Sequence, residues 1–168
     1  LAASGRFEFV NYNFGGSANT KRMYGADGVN RAFEFDGTIF VPIATGMTTD
    51  TPLHIIAHKG YLFLSFVGSV QHSSPNNPYV WSVVTGAAEI AMGDTVTGFM
   101  AQPSGAAEAA LTIFTRNNTS ILYGTSSSDW ELNPFDQQAG AYAYSIQNIM
   151  QTLMLDDRGL TSLSTSQN

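Results

Sequence analysis

The 168-residue chain contains no cysteine. Disulfide bridges and thiolate metal sites are therefore excluded. Charge is scarce too: Asp, Glu, Lys and Arg make up 12% of the residues, about half the ~25% of an average soluble domain. No apolar run approaches the ~20 residues of a membrane helix, so no membrane span is expected. Low charge beside seven Tyr, eleven Phe and two Trp excludes a disordered chain, which has the opposite balance. What is abundant is uncharged polarity. Ser, Thr, Asn and Gln supply 50 of the 168 residues, and glycine another 16. The length suits one compact domain with its own core.

The charges that exist are unevenly placed. Residues 1–60 carry five basic and five acidic side chains. Residues 61–168 carry only Arg116 and Arg158 against eight acids, so the whole net charge of −6 lies there. Residues 61–115 hold no Lys or Arg at all, only Glu89, Asp94 and Glu108. Such a surface is poor at holding nucleic acid, whose affinity comes largely from Lys and Arg neutralising phosphates. The start at Leu1 and the stop at Asn168, shortly after an apparent strand, read as a segment of a longer polypeptide. Residues 1–4 are too short and uncharged for a signal peptide.

Nearly all the periodicity is of strand type. Alternation marks residues 6–12, 32–35, 38–43, 61–66, 110–115, 120–123 and 152–156. β-branched and aromatic residues are dense there, and turn residues separate the windows. The Ala-rich stretch 104–111 contains Gly105 and is short, which favours a loop over a helix. The mixed pattern over 144–154 reads as extended, given its β neighbours and Gly140.

One pattern recurs four times: an apolar residue, a tight turn, an alternating strand. It appears at Phe35-Asp36-Gly37-Thr38-Ile39-Phe40-Val41 and at Ala57-His58-Lys59-Gly60-Tyr61-Leu62-Phe63-Leu64. It returns at Thr115-Arg116-Asn117-Asn118-Thr119-Ser120-Ile121-Leu122 and at Leu155-Asp156-Asp157-Arg158-Gly159-Leu160-Thr161. Asp-Gly, Lys-Gly, Asn-Asn and Asp-Arg-Gly all tolerate the positive φ of short hairpins. Asn117 and Asp157 are 40 residues apart, close to the ~40–45 of a four-stranded propeller blade. Lys59 and Asn117 are 58 apart, which reads as one blade plus an insertion. The expected fold is all-β: a partial β-propeller of antiparallel hairpins, roughly three blades, forming a segment of one larger domain. Residues 1–50 supply the first hairpins, 51–109 a second blade with an insertion, and 110–168 a third. A β-sandwich is the alternative, since it too gives short strands at regular spacing.

Several motifs, taken in order, resemble a known family. They run from Pro52-Leu53-His54 through His58-Lys59-Gly60-Tyr61-Leu62-Phe63-Leu64-Ser65 to Asn77-Pro78-Tyr79-Val80-Trp81. Glu89-Ile90-Ala91-Met92-Gly93-Asp94-Thr95-Val96-Thr97-Gly98 follows, then the apolar strand 111–115 and the ending 121–124. Ser145-Ile146-Gln147-Asn148 and Leu155-Asp156-Asp157-Arg158-Gly159 close the series. Over residues 22–164 the chain resembles the β-propeller hub, or nozzle, proteins of bacteriophage tails. The resemblance implies a structural virion protein that forms a homo-oligomeric ring around the DNA exit channel. Its implied partners are itself, the portal or adaptor and other tail proteins, with genomic DNA passing transiently and without specific binding. It carries over no catalytic residue.

The residues themselves offer little catalytic chemistry. His54 and His58 have the i, i+4 spacing of helical zinc ligands, but on a strand that spacing separates them by ~13 Å. Gly124-Thr125-Ser126-Ser127-Ser128-Asp129 lacks the second Gly and the Lys of a phosphate-binding loop. It reads as a loop capped by Asp129, with Trp130 packed between blades, and Gly15-Gly16 reads as a flexible loop. Asp156 and Asp157 are adjacent, so their side chains diverge. Asp94, Asp129 and Glu131 would have to converge in the fold for glycosidase or lyase chemistry, which needs two carboxyls ~5–9.5 Å apart. Tyr79, Trp81 and Trp130 are candidates for sugar stacking, though aromatics at strand positions are usually core or interface. No Ser–His–Asp arrangement is legible from spacing.

The reading is a non-enzyme with no assigned catalytic, cofactor-binding or metal-ligating residue. The alternative function is a carbohydrate-binding propeller module for host recognition. It would need an exposed aromatic beside an Asp/Asn pair in a pocket. The strand parities predict burial of Phe63, Leu111, Ile113, Ile121, Leu153 and Leu155. A partial propeller with bare sheet faces is expected to be neither stable nor monodisperse alone.

Overall fold

The computed structural model describes residues 1–102, 109–149 and 151–163. The chain forms two compact units, Leu1–Ala91 and Met92–Asn168. In the first, β1 (Glu8–Tyr12), β2 (Arg22–Ala26), β3 (Phe33–Phe35) and β4 (Phe40–Pro42) pair antiparallel in chain order. A second sheet repeats that order with β5 (Ile55–His58), β6 (Tyr61–Phe66), β7 (Ser69–His72) and β8 (Ala88–Ala91). In the second unit, β9 (Val96–Ala101), β10 (Leu111–Thr115), β11 (Thr119–Tyr123) and β12 (Glu131–Asp136) form a third four-stranded meander. The fourth sheet holds β13 (Gln147–Ile149), β14 (Gln151–Asp156) and β15 (Gly159–Ser162). A single 3₁₀ turn, Val83–Thr85, is the helical element among the described residues.

All four expected hairpins form. At Lys59-Gly60 the loop is two residues long, because His58 pairs directly with Tyr61. Both loop residues take positive φ, 48° and 81°, the geometry whose twist matches the flanking strands. The turn at Asn117-Asn118 is built differently. Neither Asn has a positive φ. Instead the Thr115 hydroxyl accepts from Asn118 N–H at 3.0 Å, and the Asp94 carboxylate accepts from Asn117 N–H at 2.8 Å.

The blade boundaries differ from the spacing argument. β9 pairs with β10, so residues 96–101 belong to the third sheet and the second ends at Ala91. The long interval between Lys59 and Asn117 is thus the end of one meander and the start of another. Four sheets result where roughly three blades were expected. Of the stretch 144–154, read as extended, Gln147–Ile149 and the start of β14 are strand, whereas Tyr144 sits in a turn with a φ of 64°; residue 150 lies outside the described residues. Of the loop expected over 104–111, residues 104–108, Glu108 included, also lie outside them, and β10 already begins at Leu111.

The core of the first unit lies between its two sheets. Ile55, Leu62, Leu64 and Phe66 pack with Phe14, Tyr24, Ala26 and Ile43. Two polar ties fix β1 beside β5: His54 Nδ1 lies 2.9 Å from Glu8 Oε1, and Gly60 N–H donates to Tyr12 Oη at 2.9 Å. In the second unit Phe114, Ala139, Ala141, Met154 and Leu163 form a cluster between the third and fourth sheets. Phe63, Leu111, Ile113 and Ile121 are buried, as their strand parity predicts. Leu153 is half-buried and Leu155 is 45% exposed, against expectation. In Thr152-Leu153-Met154-Leu155-Asp156 both parities carry apolar residues. Contact with the Phe114 cluster selects the Met154 parity, which also buries Thr152 and Asp156.

Candidate functional site

Two features remain after the cores are accounted for: an aromatic sheet face in the first unit and a polar cleft in the second. The face is set by register. Phe9, Gly25, Phe33 and Pro42 form one row across β1–β4, and Asn11, Met23, Phe35 and Phe40 form the next. The rings interlock, with centroid distances of 4.5 Å for Phe33–Phe40, 5.7 Å for Phe7–Phe9 and 6.3 Å for Phe9–Phe33. Gly25 leaves the space that the Phe33 ring fills. Phe33 is buried, yet Phe9 is 55% and Phe40 41% exposed. Beside them opens a groove of about 410 Å³ lined by Asn11, Lys21, Arg22, Met23, Phe35 and Asp36.

The cleft of the second unit, about 220 Å³, is built by three turns. The β10–β11 turn brings Arg116 and Asn117, and the β14–β15 turn brings Asp156, Asp157 and Arg158. The segment after β12 brings Gln137 and Gln138. There the Asp136 carboxylate accepts from Gln138 N–H at 2.8 Å and Ala139 N–H at 2.9 Å, turning the chain. The segment then presses onto the first turn. Ala141 N–H donates to Thr115 O at 3.0 Å, and Thr119 Oγ1 donates to Ala139 O at 2.7 Å. A Cβ on Gly140 would overlap the carbonyl oxygens of Thr115 and Arg116.

Charge inside the cleft is paired. Arg116 Nη2 donates to Asp157 Oδ1 at 2.9 Å, and Tyr142 Oη donates to the same oxygen at 2.6 Å. The Arg116 guanidinium also lies 4.2 Å from the centroid of the Tyr142 ring, a cation–π contact. Arg158 grips Asp156 Oδ2 through Nε at 2.8 Å and Nη2 at 2.6 Å. Burial opposes ionisation of Asp156, but the Arg158 bonds outweigh it and hold the carboxyl below its ordinary range. The Tyr142 and Arg116 bonds lower Asp157 likewise. The adjacent carboxylates diverge to different partners, and both stay ionised at neutral pH. Arg116 and Arg158, the sole basic residues of 61–168, thus meet in one place.

The other sequence candidates are dispersed. His54, His58 and His72 are all buried. His54 faces Glu8, and its backbone N–H donates to Ser65 Oγ at 2.9 Å. His58 and His72 lie against the Phe63 ring, at 6.3 Å and 5.4 Å. Among the described residues no group of three or more His, Asp or Glu is arranged to hold a metal ion. Asp94 binds the Asn117 turn, whereas Glu131 pairs with Tyr123 at the far end of β11. Asp94 and Glu131 therefore sit at opposite ends of a five-residue strand, ~13 Å or more apart. Asp129 caps its loop, accepting from Thr125 N–H at 3.0 Å and Ser126 N–H at 2.7 Å. Trp81 is half-buried and donates to Pro78 O at 3.0 Å. Tyr79 is engaged by Glu34, and burial with that bond pushes its phenol up to about 12. Sequence reasoning missed Gln137, Gln138 and Tyr142. Its available signal was the isolation of two arginines in an otherwise acidic stretch.

No family model matches the chain, and no curated protein matches it. Among solved structures, the chain is similar to BBS1N, seen in a crystal structure in complex with ARL6DN soaked with lead. The TM-score is 0.51 at 9% identity, over 93% of this chain and 48% of that one. The chain thus spans about half the length of that neighbour, and the likeness speaks to fold alone. BBS1N has a β-propeller-like fold. The fold is all-β, a partial β-propeller built of antiparallel, blade-like sheets. No helix among the described residues is long and apolar enough to cross a membrane.

Proposed function

We propose that the chain is a structural component of a bacteriophage tail, a bladed segment of a hub or nozzle protein that acts by assembling a ring around the DNA exit channel. The order of motifs over residues 22–164 supports the reading, and so does a partial-propeller fold. The observation that carries it is the aromatic face of the first sheet. Five phenylalanines on one face, with Phe7, Phe9 and Phe40 open to water, make a surface that gains by meeting another apolar face. A neighbouring subunit is the occupant this reading assigns, since identical subunits meeting head to tail through a closing rotation form rings. Other partners are the portal or adaptor and further tail proteins, and the place of action is the virion, after assembly in the bacterial cytoplasm.

In this reading DNA passes the ring without specific binding. A lumen rich in Lys and Arg would retain phosphates, whereas neutral or acidic walls let a duplex slide. Residues 61–115 contribute no Lys or Arg to such a wall. The function needs no catalytic step.

The test is peptide mass spectrometry on purified phage particles, with the oligomeric state of the protein measured beside it. The expected result is stoichiometric presence in particles and a ring that Phe9→Ser with Phe40→Ser weakens. Absence from purified particles overturns the proposal.

A further inference from the structure

We propose that the polar cleft of the second unit binds a neutral sugar ring. This does not rest on the tail reading, since the cleft lies wholly within Met92–Asn168 and its argument uses only that unit.

The size comes first. At about 220 Å³ the cleft falls below the ~300–1,000 Å³ of pockets for drug-sized ligands and suits one ring with its substituents. The charge comes next. The lining guanidiniums of Arg116 and Arg158 are matched by Asp157 and Asp156 at 2.9 and 2.6 Å. Asp94 binds the Asn117 turn and Asp136 stands behind Gln138, both on the acidic side. A phosphate or other anion would meet arginines already committed and two further carboxylates nearby. A neutral ligand meets no such penalty.

The hydrogen-bonding pattern then selects hydroxyls. Gln137 and Gln138 are exposed and line the cleft, and each amide offers a donor and an acceptor. Asp157 uses Oδ1 for Arg116 and Tyr142, leaving Oδ2 as an acceptor on a side chain that is 69% exposed. Asn117 spends its NH₂ group on Asp94 and presents its carbonyl oxygen. Alternating donors and acceptors on planar side chains match vicinal hydroxyls, each of which both gives and takes a hydrogen bond. Tyr142, 42% exposed, adds an aromatic ring bonded to two lining residues, donating to Asp157 and lying under the Arg116 guanidinium. An exposed aromatic next to a cleft lined by an Asp and an Asn is an arrangement suited to sugar recognition. The same pairings explain why the site is preorganised: every charged member is already fixed before a ligand arrives.

The experiment titrates the full chain with methyl glycosides of glucose, galactose, mannose and N-acetylglucosamine, followed by ¹⁵N chemical shifts. Dextran is a polymer arm, and inorganic phosphate the anionic control. At least one glycoside is expected to bind with a millimolar Kd, perturbing Asn117, Gln138 and the Tyr142 backbone. Gln137→Ala with Gln138→Ala should weaken it about tenfold, since two net hydrogen bonds are lost. Both residues are exposed, so the unfolding midpoint of this variant stays at the wild-type value. Binding of dextran alone would assign the site to a polymer rather than to a free sugar, with the sugar chemistry upheld. The proposal is overturned if no sugar shifts these resonances up to about 50 mM, if phosphate binds more tightly, or if the double variant binds as well as wild type.

Discussion

His58 offers a quantitative test of how the second sheet is packed. Its ring is buried at the end of β5, beside Phe63, and the residue is only 6% exposed. Burial first, and the neighbouring Lys59 second, push its pKa from 6.5 down to about 4. The folded state therefore favours the neutral ring, whereas the unfolded chain protonates it below 6.5. Stability from this group is fully present above pH 6.5 and is lost as pH falls from 6.5 to 4. A shift of that size corresponds to about 3 kcal/mol at the acid end of the window, at 1.36 kcal/mol per unit. His72, also lowered by burial, acts in the same direction. The depressed carboxylates, among them Asp94, Asp156 and Asp157, lose their contribution only below their ordinary value of 3.8, outside the window. Urea unfolding at pH 7.5, 5.5 and 4.5 reads the effect directly as a fall in the midpoint at constant slope. In His58→Gln, which cannot titrate, the part of the fall due to His58 disappears. A wild-type midpoint that stays flat from pH 7.5 to 4.5, or a fall unchanged in His58→Gln, would refute the reasoning.

Three further outcomes follow from the second unit. Gly140→Ala should destabilise by about 1–3 kcal/mol, because its methyl meets the carbonyls of Thr115 and Arg116. A denaturation curve showing the ~0.4–1 kcal/mol gain of an unstrained Gly→Ala change would contradict that close approach. Leu111→Ala should cost about 2–5 kcal/mol, while Leu155→Ala, on the exposed parity of β14, should stay within about 0.5 kcal/mol. Equal costs would mean the register of β14 is wrong. Asp94→Ala removes the acceptor for both nitrogens of Asn117 and should cost about 1 kcal/mol, seen as faster amide exchange at Asn117 and Asn118.

Much of the fold is legible along the chain, because a hairpin is a local object. The Lys59-Gly60 pair lies between two alternating runs, and those residues alone specify a two-residue loop and its register. The Asp36-Gly37 turn is local too, but longer: Phe35 pairs with Phe40, and within the four residues between them the Asp36 carboxylate accepts from Thr38 N–H at 2.8 Å and Ile39 N–H at 2.7 Å. Strand windows with one clean apolar parity, such as 111–115, also declare themselves. β2, β7 and β12 do not, since Arg22-Met23-Tyr24-Gly25-Ala26, Ser69-Val70-Gln71-His72 and Glu131-Leu132-Asn133-Pro134-Phe135-Asp136 lack sustained alternation. They are strands because a neighbour supplies the ladder.

Composition and pattern by themselves determined that this protein is all-β, free of disulfides, poor in charge and turned at four particular places. Only the tertiary structure decided which hairpins share a sheet, which parity of β14 faces inward, and that Arg116 and Arg158 meet around one cleft. The physical reason is range. Turn preference and alternation act over a few residues, so they are written where they act. Joining β9 to β10, choosing Met154 over Leu155, and bringing residues 116, 137 and 158 together depend on packing between segments up to 42 positions apart. A single sequence carries no local mark of that choice. At the cleft of the second unit Gly140 lets two backbones come together, and that contact is absent until the chain has folded.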